Sequence, residues 1–222
     1  MANASTTGFG LRAVMTVGNT PATSGQSEYF IQTSPGVGSF KGDPVSVQDS
    51  GGAQGFVQDA SFTTTDDGGA GGTSYTNTSE ALLIGVFNGF FYISSNGKPT
   101  FANSVDASTA TSVNYNTGSN NITAFVIDNS NQEYVIKADA ALGTDAATAQ
   151  AKFGAVNQMN TNNYTASSNI DGQSITTLDI GSAATTAMFT LVRSANDPEN
   201  SDLTAAGANI IVKIAKSSSL YN

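Results

Sequence analysis

The chain has 222 residues, 17 of them acidic and 8 basic, for a net charge of −9, and it contains no histidine, cysteine or tryptophan. Those absences remove the side chains that carry most neutral-pH proton transfer, thiolate attack and soft-metal binding, and they leave no disulfide framework. The negative charge repels phosphate backbones, so direct nucleic-acid binding is not expected.

Residues 1–26 read as an N-terminal arm. Gly8, Gly10, Gly18, Pro21 and Gly25 break it repeatedly and leave one strand, Leu11 to Thr16. Such a segment gains order by docking on a partner or by starting the core of its own domain. The first residues have no basic region followed by an apolar run, so no signal peptide is expected. The longest apolar run, Ala81 to Phe87, is far short of the ~20 residues of a membrane span,.

Residues 27–222 read as a β-rich domain. Glu28 to Gln32 is aromatic and β-branched, with Tyr29 and Phe30 assigned to the core. Pro44 to Gln48 alternates with period two, and Gly55 to Gln58 is a further strand,. Asp66 to Gly72 is a glycine-rich loop. Leu82 to Ile93 is too long and too polar at Asn88-Gly89 for one plain strand, which predicts two strands or one bent at a glycine. Asn96-Gly97 suits the centre of a type I′ hairpin turn leading to Pro99–Ala102,. Residues 103–121 are rich in Ser, Thr and Asn. Ile122 to Ile127 and Glu133 to Ala138 predict a second hairpin across Asp128 to Gln132,.

One short helix is expected near 145–153, with Thr144 as cap, Asp145 at the positive end of the helix dipole, Lys152 at the other end and Gly154 as the stop,. Strands follow at Ile175 to Leu178, Met188 to Arg193 and Asn209 to Ile214. Many short strands, frequent turns and one helix predict an all-β fold: a sandwich or barrel of short antiparallel strands, with one short α-helix and an extended N-terminal arm.

The residues that remain for chemistry are carboxylates, hydroxyls, amides and a few bases. Asp66-Asp67 stand side by side on a glycine-rich loop, which fixes no spacing for a two-carboxylate hydrolase,. Asp128 to Glu133 and Asp197 to Asp202 gather oxygen ligands of the kind calcium takes. Neither follows the EF-hand spacing, and Asx-rich turns have the same composition. The Gly68 to Gly72 run lacks the Gly-Lys-Ser/Thr ending of a phosphate loop,. No cofactor, metal or catalytic residue is assigned, and no enzyme activity is expected.

Three stretches taken in order resemble a known family. They are Gly8 to Val14 with Gly18, Tyr29 to Ile31 and Lys41 to Val45; Leu83 to Tyr92 with Gly97 to Phe101, Ala124 to Asp128 and Gln132 to Ile136; and Asp197 to Asn200 with Asn209 to Ile214. Together they are similar to the head decoration, or capsid cement, proteins of tailed bacteriophages. The likeness covers most of the chain, the helix at Asp145 to Phe153 falls where that family carries an Ala-rich stretch, and 103–121 departs from it.

The resemblance implies a virion protein on the outer surface of an icosahedral capsid, made in the host cytoplasm, that staples neighbouring major capsid subunits. From the charge and the short apolar runs, neither a nucleic-acid nor a membrane partner is expected. A dimer or trimer would gain roughly 10²–10⁴ in avidity over one protomer. In the arm, Phe9 and Leu11 are the candidate apolar anchors and Arg12 the candidate carboxylate partner for capsid binding. The other reading of these three is that they start the first core strand. The alternative function is an adhesion or receptor- or carbohydrate-binding β module on a virion tail or cell surface.

Overall fold

The structure is a computed structural model. It describes residues 3–17, 20–21, 25–31, 39–47, 57–59, 62–66, 73–77, 83–94, 96–105, 122–154, 156–160, 169–180, 188–216 and 219–221. The glycine-rich stretch 67–72 and most of the Ser/Thr/Asn-rich stretch, 106–121, lie outside the described residues, as does the side chain of Asp66.

The fold is all-β. In chain order the first strands are β1 (Arg12–Thr16), β2 (Thr20–Pro21), β3 (Gln26–Ile31), β4 (Ser39–Phe40), β5 (Pro44–Val47), β6 (Val57–Asp59), β7 (Phe62–Asp66) and β8 (Thr73–Asn77). Next come β9 (Leu83–Ile93), β10 (Pro99–Ala102), β11 (Ser104–Val105), β12 (Ile122–Ile127) and β13 (Gln132–Lys137). A helix, α1 (Ala146–Gln150), precedes β14 (Val156–Asn160), β15 (Asn169–Ile170), β16 (Gln173–Ser174), β17 (Thr177–Asp179), β18 (Phe189–Ser194) and β19 (Asn209–Ile214).

Two large sheets organise these strands. One has seven strands in the order β17-β14-β18-β19-β13-β1-β2. The other runs β10-β9-β12-β3-β6-β5, and β5 also pairs with β9. That extra pairing closes β9, β12, β3, β6 and β5 into a small barrel, with β10 continuing from the far half of β9. Closure removes free edges, which is how a short-stranded sheet avoids open pairing.

Strand alternation decides what fills the barrel. On β12, Ile122, Ala124 and Val126 are fully buried, while Thr123 and Phe125 between them are only partly so. The interior holds Val45, Val57, Ile84, Phe87, Phe90 and the three β12 residues, with Tyr29 and Ile31 of β3 packed against them. The second core lies between the barrel and the seven-stranded sheet. Leu83, Val86 and Ile127 of the barrel meet Tyr134, Ile136, Leu191, Ile210 and Val212 there. One strand, β9, therefore supplies both cores.

It does so by bulging twice. Against β5 the register shifts around Ile84-Gly85, and against β12 it shifts around Asn88-Gly89, where Gly89 has φ +112°. A bulge switches which face the following side chains take. The long apolar run is thus one strand bent at glycines, the second of the two forms predicted for it.

Other expectations need correction. The strands Ile122–Ile127 and Gln132–Lys137 do not form a hairpin: β12 pairs with β3 and β9, and β13 pairs with β1 and β19. The turn at Asp128–Asn131 carries the chain from one sheet to the other. It has ordinary turn bonds, Gln132 N–H to Asn129 O at 2.9 Å and Asn131 N–H to Asn129 Oδ1 at 2.9 Å. Local turn chemistry is the same whether the next strand pairs back or crosses over.

The β9–β10 hairpin forms as expected, but its loop is one residue longer than a type I′ turn. Gly97 N–H bonds Ser94 O at 2.8 Å, Ser94 N–H bonds Lys98 O at 2.9 Å, and Gly97 is left-handed at φ +79°. That is the three-residue loop with a glycine bulge. The helix is capped by Asp145, not Thr144. The Asp145 carboxylate accepts from Thr148 N–H at 2.9 Å, and Thr148 Oγ1 accepts from Asp145 N–H, making a capping box,.

Candidate interaction surface

The segment read as an arm is docked on its own domain over residues 3–17. Asn3 donates to the carbonyls of Asp202 and Ala206 at 3.0 and 2.9 Å, and Ala4 N–H bonds Glu199 O at 3.0 Å. Ser5 O accepts from the Lys137 ammonium at 2.9 Å, and β1 then pairs with β13. Lys137 is buried, and it also reaches Asn200 Oδ1 and Gly207 O, both at 3.3 Å. Burial pulls its pKa below the usual lysine range, and the charge of Asp197 opposes that pull,.

The three candidate capsid-binding residues separate in role. Leu11 is 3% exposed and belongs to the second core, so it is a core residue and not a surface anchor. Phe9 is half-buried. The Arg12 guanidinium stands 4.5 Å from its ring centre and the Lys137 ammonium 5.7 Å, so its ring serves as a platform for cations,. Arg12 is exposed at the rim of a cleft of about 430 Å³ between barrel and sheet.

The Asx turns use their carboxylates internally. Asp128 Oδ2 accepts from the Tyr29 hydroxyl at 2.7 Å. Asp197 accepts from Glu199 N–H at 2.9 Å and from Asn209 Nδ2 at 2.6 Å. Backbone bonding to Glu199 leads the causes that lower the Asp197 pKa. Among the described residues, no group of three or more acidic side chains is placed to hold a metal ion.

The surface feature that sequence reading missed is aromatic. Phe30, assigned to the core, is 49% exposed, and Phe101 is 72% exposed. Register places Phe101 of β10 beside Phe91 of β9, Phe91 beside Thr123 of β12, and Thr123 beside Phe30 of β3. All four therefore point out of the barrel, across four strands spanning about 14 Å at the usual ~4.8 Å spacing.

Phe125, two residues along β12, joins the row. The Phe91 and Phe101 rings are 4.9 Å apart, and Phe101 and Phe125 are 6.2 Å apart and near parallel. A signal for this was present in the sequence. In Tyr29-Phe30 and Phe90-Phe91, neighbours on a regular strand face opposite ways, so one ring of each pair had to point outward.

Beside Phe101 and Phe125 is a shallow hollow of about 170 Å³, walled by Asn88, Gly89 and Asn103. Phe91 and Phe125 are half-buried within the row. Comparison with known protein families, curated proteins and solved structures finds no match to this chain.

Proposed function

We propose that this protein is a structural component of a virion. It binds the outside of an icosahedral phage capsid and strengthens contacts between major capsid subunits, without enzyme activity. The observation that carries this reading is the outward aromatic row on the barrel wall, in which Phe30 and Phe101 are exposed and Phe91 and Phe125 half-buried.

Aromatic side chains give large buried area for little lost rotamer freedom and dominate protein–protein contacts. Set together on one outward face, they mark an interaction site more than a core. The ordered sequence resemblance to capsid cement proteins supplies the partner, and the net charge of −9 suits a protein kept away from packaged DNA,. In this reading the contact is made by the barrel wall. Of the three anchors offered in the arm, Leu11 is a core residue, while Phe9 and Arg12 stay at the surface, stacked on each other.

The test is addition of purified protein to heads lacking it. Bound protein visible by cryo-EM on the outer shell, with a higher melting temperature of the particle, is the expected result. Phe101→Asp should abolish the binding while leaving the fold intact. Heads unchanged under saturating protein would refute the reading.

A second reading, carbohydrate binding, is favoured by the hollow between Phe101 and Phe125 with the amides of Asn88 and Asn103 on its rim. Binding to a glycan array without binding to heads would select it.

A further inference from the structure

We infer that the cleft between the barrel and the seven-stranded sheet receives an acidic side chain, carried next to an apolar residue on an extended segment of a partner protein. This does not rest on the capsid reading, because it concerns a different face.

The cleft has an apolar floor of Leu11, Val86, Phe87 and Ile127 and a polar rim of Arg12, Lys41, Asn88 and Gln173. Among the described residues, no carboxylate lines it. In a chain with 17 acidic and 8 basic residues, two basic residues sharing a cleft with no acidic lining among the described residues is a departure from the overall charge balance. Asp43, close in sequence, turns inward and accepts from Phe40 N–H at 2.8 Å. Neither Arg12 nor Lys41 makes an ion pair among the described residues, whereas Arg193 is paired with Glu133 at 2.8 Å.

The cationic rim is also pre-arranged. The Arg12 guanidinium rests on the Phe9 ring, and the Phe9 carbonyl is held by Gln173 Nε2 at 3.2 Å. Lys41 is fixed through its backbone, whose N–H bonds Asn103 O at 2.8 Å and whose carbonyl accepts from Ser174 N–H at 3.0 Å. A planar guanidinium held in place is suited to a two-point bond with a carboxylate, with a lysine as second charge.

An extended segment is indicated by the edge of β1. Among the described residues that strand meets its outer neighbour β2 at Met15 and Thr16 alone, and Arg12 and Ala13 of β1 border the cleft. The apolar floor then takes the residue next to the acid.

The experiment is a titration of the isotope-labelled full chain with blocked peptides, followed by amide NMR. One peptide carries Glu beside Leu, and its control carries Gln in place of Glu. The Glu peptide should shift Leu11 to Ala13, Lys41, Gly42 and Asn88 in a saturable way, and the Gln peptide should bind roughly tenfold or more weakly. Arg12→Gln should produce the same loss with an unchanged melting temperature. Phe9→Ala, which keeps every rim charge but removes the support, should weaken binding roughly two- to fivefold.

Equal binding of the two peptides, shifts confined to another face, or no saturable binding up to millimolar peptide would each overturn the proposal. So would the same shifts on concentrating the protein alone, since the occupant would then be a second copy of the chain. Loss of head binding on Phe101→Asp leaves this result unaffected, so the two readings fail separately.

Discussion

Replacing Tyr134 by Phe removes a single hydroxyl at the join between the two sheets. Tyr134 is 1% exposed, and its hydroxyl donates to the Ile127 carbonyl at 3.0 Å. The donor stands on β13 of the seven-stranded sheet, and the acceptor ends β12 of the barrel. The ring stays and its packing is kept, so the cost is that of a buried carbonyl left without this donor, about 1–3 kcal/mol. Taking about 2 kcal/mol, the melting temperature should fall by roughly 4–8 °C for a chain of this size.

The same substitution has a pH signature. Burial, and next the negative charge of Asp128, hold the Tyr134 pKa above its ordinary value. A pKa higher in the folded state than in the unfolded state gives stability that is whole below the unfolded value, near 10, and is lost as pH rises past it. The slope is about 1.4 kcal/mol per pH unit. Between pH 8 and pH 11 the parent protein loses stability through this group, and the variant loses none of it. The gap between them should therefore narrow as the pH rises past about 10. Urea unfolding followed by far-UV circular dichroism measures it, since the chain has no tryptophan. A cost below about 0.5 kcal/mol at pH 8, or a gap that stays constant to pH 11, would refute the argument.

Three further outcomes are expected. Gly85→Ala drives a Cβ into the backbone carbonyl of Ile127 where β9 passes β12, and should cost about 3 kcal/mol or more, read as a loss of soluble folded protein or a large drop in urea midpoint,. Leu11→Ala should cost about 2–5 kcal/mol by the same measurement, while Phe101→Ser should stay within about 0.5 kcal/mol of the parent, because one side chain is in the core and the other faces water,. On the acid side, the Thr204 hydroxyl and backbone N–H hold the Asp202 pKa down to about 2. A lowered folded pKa gives stability that is present above the unfolded value and lost as pH falls, here between about 4 and 2. Asp202→Asn should flatten that acid limb in thermal melts.

Much of the fold was legible from short-range pattern. Period-two alternation located β5, the glycine at Asn88-Gly89 marked the bend in β9, and the helix expected near 145–153 forms over Ala146–Gln150. What escaped was long-range pairing. Nothing near Asp128 distinguishes a hairpin from a crossover, because the choice is made by whether Ile127 and Tyr134 meet across two sheets. Barrel closure rests on β5 reaching β9, about 40 residues away, and on one parallel contact between Ile31 and Val57. Leu11, read as the first residue of its strand, lies one residue before β1, and its N–H bonds the distant Gly42 carbonyl at 2.9 Å. The aromatic row was half-visible, since paired aromatics imply an outward ring. Its continuity across four strands needed the register.

The double bend of β9 has a mechanical consequence. The strand is a common beam under two rooms: Ile84, Phe87 and Phe90 brace one, Leu83 and Val86 the other. Neither room can be emptied while the beam stays in place, so heat or denaturant should collapse both in one step, without a half-melted survivor. A load applied to the barrel wall would pass through that beam into the neighbouring sheet.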